Sequence, residues 1–178
     1  MKIWNQINGT LKEKFKLTFW ICWTFTVIHN GDLASGSANG TIKNWNPMNG
    51  TLKRTFNGQT EWVNALTVLQ NGDYASVSAE RTIKIWNPIN GTLKSTLNEQ
   101  SSGVFALTVL QNGYLASGSA DRTIKIWNPI NGTLKRTLNG HTDSVNALTV
   151  LQNGDIASVS ANRSIKIGNP KNGTLKIT

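Results

Sequence analysis

Leu115-Ala116-Ser117-Gly118-Ser119-Ala120-Asp121-Arg122-Thr123-Ile124-Lys125-Ile126-Trp127-Asn128 is the stretch that decides the architecture, because close copies of it recur along the chain. Its closing pair stands at Trp4-Asn5, Trp45-Asn46, Trp86-Asn87 and Trp127-Asn128, always 41 residues apart, and Gly168-Asn169 fills the fifth slot. Self-similarity at this period marks an array of supersecondary units. Such a unit cannot bury its own apolar faces and must stack on its neighbours, so function has to be read from the array.

The copy from Asp143 to Thr178 shows what one unit contains. Val145-Asn146-Ala147-Leu148-Thr149-Val150-Leu151 is β-branched and aliphatic, which predicts a strand. Asn153-Gly154 predicts a tight type I′ hairpin, with positive φ at both central residues. Asp155-Ile156-Ala157-Ser158-Val159-Ser160 is the second strand, whose small side chains allow neighbouring sheets to approach closely. Ala161-Asn162-Arg163 turns the chain into a third strand, Ser164 to Gly168. Asn169-Pro170-Lys171-Asn172-Gly173 turns it again, Pro presetting φ and Gly supplying positive φ, into a fourth strand, Thr174 to Thr178. Each unit therefore reads as a four-stranded antiparallel meander, with strands termed a, b, c and d. In the other copies, strand a contains Leu66–Leu69 and Leu107–Leu110, b contains Tyr74–Ser78 and Leu115–Ser119, c contains Ile83–Trp86 and Ile124–Trp127, and d contains Leu93–Leu97 and Leu134–Leu138. The Asn-Gly-Thr triplets at Asn8, Asn49, Asn90, Asn131 and Asn172 are formal glycosylation sequons, but their place at the c–d turn gives them a plain structural job.

The pattern resembles the WD40 repeat of β-propellers over essentially the whole chain. The stretch from Leu115 to Asn128 is similar to the middle of such a repeat, Gly140-His141 looks like its opening Gly-His, and the closing Trp-Asp of the family is Trp-Asn here. The resemblance implies four-stranded blades arranged radially, with strand a lining the channel and strand d at the rim. It also implies a tetrad of hydrogen-bonded side chains in each blade: His before strand a, Ser or Thr in b, Asp in the b–c turn and Trp in c. No blade has all four. The columns hold Thr18, Ser35, Asn39 and Trp45, then Gln59, Ser76, Glu80 and Trp86, then Gln100, Ser117, Asp121 and Trp127, then His141, Ser158, Asn162 and Gly168. Loss of a buried Trp outweighs loss of one hydrogen bond, so the last blade is expected to be the weakest and Gly168→Trp to stabilise it.

The expected fold is thus all-β, a WD40-type propeller arc forming one domain over residues 1–178: a half-blade at 1–15 and blades at 16–56, 57–97, 98–138 and 139–178. Seven blades of this length would need about 290 residues, so the arc is not expected to close on its own. A fragment or truncated copy of a larger propeller is the favoured reading; association with a second copy and an open arc capped by a partner are the others. The segment Phe15 to Phe25 replaces the usual turn residues by bulky apolar ones and reads as drift from the repeat, with an apolar docking patch as the alternative.

The chain carries a net charge of +9. Its lysines recur in two columns, Lys2, Lys43, Lys84, Lys125 and Lys166, and Lys12, Lys53, Lys94, Lys135 and Lys176. A basic nucleic-acid-binding surface is one reading; lysines that protect exposed edge strands are the favoured one, since no aromatic residue interleaves with them regularly. Lys12, Lys14 and Lys16 followed by the apolar run Leu17–Ile28 resemble a signal peptide. Repeat motifs on both sides of that run, however, keep register. The single cysteine, Cys22, excludes an intrachain disulfide framework and fits a reducing compartment, so the cytoplasm, or else the nucleus, is expected.

Catalysis needs clustered titratable groups. His29 and His141 are far apart, without metal-ligand spacing to Cys, Asp or Glu, and Asp32, Asp73 and Asp155 read as turn residues. No enzyme activity, cofactor or metal is expected. A non-catalytic scaffold that binds other proteins or peptides is the favoured function, with self-association through open blade faces as a further contact. A sensor or receptor array within a larger signalling protein is an alternative. Copies diverge most in the d–a loops, the start of strand a and the b–c turns, which share one end of a propeller, and loops on a rigid scaffold are where function concentrates. Trp62, Arg81, Phe105, Arg122 and Arg163 are the candidate partner-binding residues, since Trp and Arg are favoured interface anchors. The plain alternatives are solvated turn cations for the arginines and packing between blades for Trp62 and Phe105.

Overall fold

The computed structural model describes residues 2–4, 11–14, 22–28, 30–98 and 101–177. Among these residues the chain forms strands and no helix. Strands β1 (Lys2–Trp4) and β2 (Leu11–Lys14) make a two-stranded antiparallel sheet. Four four-stranded antiparallel sheets follow. The first comprises β3 (Cys22–Val27), β4 (Leu33–Ser37), β5 (Ile42–Trp45) and β6 (Leu52–Phe56), the second β7 (Val63–Val68), β8 (Tyr74–Ser78), β9 (Ile83–Trp86) and β10 (Leu93–Leu97). The third comprises β11 (Val104–Val109), β12 (Leu115–Ser119), β13 (Ile124–Trp127) and β14 (Leu134–Leu138), the fourth β15 (Val145–Val150), β16 (Ile156–Ser160), β17 (Ile165–Gly168) and β18 (Leu175–Ile177). Each is a meander in chain order, a to d. In the middle copies strand a starts at Val63 and Val104, the positions equivalent to Val145, and each has a bulge next to its first pair. It stops before Leu69 and Leu110, whose amides instead bond across the hairpin mouth to the Asp73 and Tyr114 carbonyls, at 2.8 and 2.7 Å.

The a–b hairpin is not the type I′ turn expected from Asn153-Gly154. Gly154 has φ +82°, but Asn153 is not among the residues at positive φ. The Gly154 amide donates to the Leu151 carbonyl at 2.9 Å, and the Leu151 amide to the Asp155 carbonyl at 2.8 Å. This is a type I turn followed by a left-handed glycine bulge, the usual three-residue hairpin loop. The Asn153 side chain favours it: its Oδ1 accepts from the Asp155 amide at 3.0 Å and its Nδ2 donates to the Asp155 carboxylate at 2.8 Å. The c–d turn follows expectation. Gly173 has φ +78° and donates to the Asn169 carbonyl at 2.8 Å, while Asn169 Oδ1 accepts from the Lys171 amide at 2.8 Å. Asn46, Asn87 and Asn128 accept in the same way from the Met48, Ile89 and Ile130 amides, so these asparagines hold the turns that leave strand c.

The sheets stack through their first strands, β3 on β7, β7 on β11 and β11 on β15. Three cores lie between them. Ile42 and Phe56 meet Leu66, Tyr74 and Trp86; Ile83, Ile85 and Leu97 meet Val104, Leu115 and Trp127; Ile124 and Ile126 meet Val145 and Ile156. Close approach explains the small residues of strand b. A Cβ added at Gly36 would sit 2.5 Å from Val63 Cγ1, and one at Gly118 2.8 Å from Val145 Cγ1. Valine takes that position in the second and last sheets: Val77 is fully buried beneath the third sheet, while Val159 is 41% exposed, since no described sheet covers it. At the other end Phe25 and Val27 are exposed on β3. The architecture is an open propeller arc, as the repeat count implied.

Candidate functional site

Strands b and c carry a repeated polar contact through the middle of the first three four-stranded sheets. Trp45, Trp86 and Trp127 donate through Nε1 to Ser35, Ser76 and Ser117 Oγ at 2.8, 2.8 and 2.9 Å. All three serines are buried. A buried indole N–H needs such an acceptor. Gln59 adds a bond from its Nε2 to Ser76 Oγ. In the fourth sheet His141 Nε2 lies 2.7 Å from Ser158 Oγ, and its Nδ1 lies 3.2 Å from Ser164 Oγ. There a cavity of about 30 Å³, lined in part by Ile124, Leu138, His141, Ser158 and Gly168, replaces the indole. Burial, and then the charge of Lys166, lowers the His141 pKa below its ordinary 6.5, so the ring is neutral at pH 7. Thr18, Gln100 and His29 lie outside the described residues, as does residue range 15–21 of the apolar Phe15–Phe25 segment. Cys22 is half-buried, and burial raises its thiol pKa.

The b–c turn residues reach across to the d–a loop, one position beyond the expected tetrad partner. Glu80 Oε2 accepts from Thr60 Oγ1 at 2.6 Å and from the Thr60 amide at 3.2 Å. Asp121 accepts from Ser101 Oγ, and Asn162 Nδ2 donates to Thr142 Oγ1 at 2.6 Å. Asp121 thus ties two loops together and also accepts from Thr123 Oγ1 at 2.6 Å. Burial alone would raise the Glu80 pKa, but hydrogen bonds from Lys84, Thr60 and Thr82 outweigh it and hold it at about 2. The same balance, with Ser101, Thr123 and Lys125 opposing burial, lowers Asp121.

These ties brace the end of the arc that carries the candidate partner-binding residues. Arg81, Arg122 and Arg163 are exposed and stand at φ +67°, +73° and +67°. The corresponding turn of the first sheet holds Gly40 at φ +75°. A left-handed conformation costs a non-glycine residue about 1–2 kcal/mol. Trp62 lies just before β7, is 52% exposed, and stacks on Trp23 of the neighbouring sheet with centroids 5.6 Å apart and planes at 15°. It is therefore partly an inter-sheet contact. Phe105 lies within β11 and is 37% exposed. The antiparallel meander brings the d–a loops and b–c turns to the same end of every sheet.

The opposite end holds ion pairs that the sequence reading missed. Asp32, Asp73 and Asp155, read only as turn residues, are buried and pair with Lys53, Lys94 and Lys176, each at 2.6 Å. The constant spacing of 21 residues between the partners was the available signal. The lysines of strand d thus do more than protect an edge. Lys84 and Lys125 in strand c likewise pair with Glu80 and Asp121. Among the described residues no group of three or more His, Cys, Asp or Glu is arranged to hold a metal.

The WD40 family model (WD domain, G-beta repeat) matches residues 50–87, 91–128 and 132–167, more than half of the chain. Each match starts in the turn just before strand d of one sheet and runs through that strand and a, b and c of the next, so every matched repeat laces two sheets together. Among solved structures, the WD40 β-propeller domain of Doa1 superposes with a TM-score of 0.85 at 28% sequence identity, over 93% of this chain and 56% of that one. The present chain thus spans little more than half of that domain's length. The computationally designed Ika4 protein superposes with a TM-score of 0.77 at 29% identity, over 88% of this chain and 95% of its own. No curated protein matches the chain significantly. The repeated Ser–Trp contact, the radial stacking of four-stranded sheets and the three matched repeats together show that the chain belongs to the WD40-repeat family of β-propeller proteins.

Proposed function

We propose that the chain is a non-catalytic scaffold that binds another protein or a peptide through the end carrying its d–a loops and b–c turns. WD40 propellers generally serve as protein-interaction scaffolds. One observation carries the proposal to this chain: three of the four b–c turns present an exposed Arg at a positive φ that glycine adopts at far lower cost. Strain of this kind clusters where a side chain is used, and Trp62 and Phe105 offer apolar area at the same end. The domain is read as one array, with a half-blade at 1–15 and blades at 16–56, 57–97, 98–138 and 139–178. Its single cysteine favours a reducing compartment, the cytoplasm or the nucleus. No helix among the described residues is long and apolar enough to cross a membrane.

The test compares the tagged chain with Arg81→Gly and Arg122→Gly forms at physiological salt. Both substitutions keep the turn and remove only the side chain. The expected result is a bound protein that both variants lose although their melting temperature is no lower than that of the parent chain, glycine relieving the strain at positive φ. Recovery of nucleic acid and no protein would sink the scaffold reading in favour of a basic nucleic-acid surface.

A second reading, association of two arcs through their end faces, is favoured by exposed Phe25 and Val27 at one end and Val159 and Ile165 at the other. Sedimentation at increasing concentration tests it, and a monomer throughout removes it. Placement of the array within a longer protein, as a propeller fragment or the sensor portion of a signalling chain, is tested by sequencing the DNA flanking the reading frame.

A further inference from the structure

A cleft of about 500 Å³ opens between the third and fourth sheets, at the end opposite the proposed partner surface. It lies between the a–b and c–d turns, and its walls include Tyr114, Lys135, Arg136, Asp155 and Lys171. Its size falls within the roughly 300–1,000 Å³ typical of small-molecule sites. Comparison along the repeat shows what is unusual here. In the other three sheets the strand-d lysine is neutralised by the Asp that follows the hairpin glycine. In the third sheet that Asp is replaced by Tyr114, and Lys135 has no ion pair or hydrogen bond among the described residues.

A second replacement adds charge to the same cleft. Lys171 stands where the earlier copies have Met48, Ile89 and Ile130. Arg136 lines the same cleft, and among the described residues its bond is from Nη1 to the Asn172 carbonyl at 3.5 Å. The one carboxylate in the walls, Asp155, is already paired with Lys176 at 2.6 Å. The cleft between the first and second sheets differs: its Lys53 is paired with Asp32, and Ile89 occupies the position of Lys171. The cleft between the second and third sheets has no charged residue in its described walls. Three cations in one concave site, with no free carboxylate to answer them, repel each other until an anion enters.

We propose that this cleft binds a small phosphate-bearing molecule. A guanidinium fork and two ammonium groups suit the several oxygens and multiple charge of a phosphate better than a single carboxylate. The Tyr114 ring and the aliphatic Ile126 in the same wall supply apolar surface for the organic part.

The test is calorimetric titration of the full chain with inorganic pyrophosphate and with ADP, using succinate as a carboxylate control. Two variants copy residues that other repeats carry at the same positions, so the fold already accommodates them. Tyr114→Asp gives Lys135 its missing partner, and Lys171→Ile removes the added charge. Saturable one-to-one binding is expected, weakened at least tenfold in each variant, with the melting temperature unchanged in Lys171→Ile and slightly lowered in Tyr114→Asp, which loses the ring packed against the core. Lys94→Ala, which removes a paired lysine from another sheet, is expected to leave binding unchanged. Absence of saturable binding up to millimolar concentration, equal affinity for succinate, affinity unaltered in both cleft variants, or an equal loss in Lys94→Ala would each overturn the proposal.

Discussion

The second and third sheets meet around an indole; the third and fourth meet around its absence. Trp127 is fully buried against Ile83, Leu97 and their neighbours, and its N–H is answered by Ser117. Gly168 leaves Ile124 and Leu138 facing a cavity, with Ser158 bound to a half-buried imidazole instead. Both interfaces use the same strand order and the same b–c register. A repeat array therefore tolerates uneven interfaces: backbone pairing is set within each sheet, while apolar burial between sheets sets how firmly each holds.

Four measurements would break or sharpen this contrast. The largest effect is expected from Trp127→Gly, which should cost about 4 kcal/mol in urea unfolding and reduce hydrogen-exchange protection in the third sheet to the level of the fourth. If protection in the two sheets still differs, the indole is not what separates them. Ser117→Ala should cost about 1–3 kcal/mol, because it leaves a buried indole N–H unanswered. Ser158→Ala should cost less, since the imidazole it binds is only partly buried. Equal costs in thermal melts would contradict the comparison.

The converse change, Gly168→Trp, should stabilise the chain by about 1–2 kcal/mol through burial and cavity filling. A Cβ there meets only the Thr174 carbonyl, at 3.4 Å, and Ser158 offers the indole N–H its acceptor. A lowered melting temperature would show that the cavity cannot admit the ring. The smallest effects are expected from pH. His141 has a depressed pKa, so below about pH 6.5 the unfolded chain binds a proton that the folded fourth sheet resists, and its stability falls. Glu80 is held at about 2 against an ordinary 4.5, so its contribution to the second sheet is complete above about 4.5 and fades only as pH falls towards 2. Hydrogen exchange at pH 7 and pH 5 should therefore show protection reduced in the fourth sheet and kept in the second.

Much of the fold was legible because its causes are local. Alternating β-branched residues, Asn-Gly and Asn-Pro turns and the Trp-Asn interval place the strands of each sheet to within a few residues. The turn type was missed because Asn-Gly serves two hairpin geometries, and the Asn153 side chain, by bonding to Asp155, selects the other one. The candidate surface was legible as variation between copies, but the left-handed backbone of its arginines was not, since Arg has no propensity for it. Asp32, Asp73 and Asp155 looked like turn residues because their lysine partners lie two strands away.

By itself the sequence determined the unit: four strands per 41 residues and a missing indole in the last copy, while the Ser–Trp contact between strands b and c was what the family resemblance implied. These follow from periodicity and side-chain size, which act over a few residues. Only the tertiary structure decided which residues meet across sheets: Trp62 on Trp23, Val63 over Gly36, and Tyr114, Lys135 and Lys171 around one cleft. Such contacts depend on how far apart two sheets stack and at what register, quantities set by the packing of the whole arc.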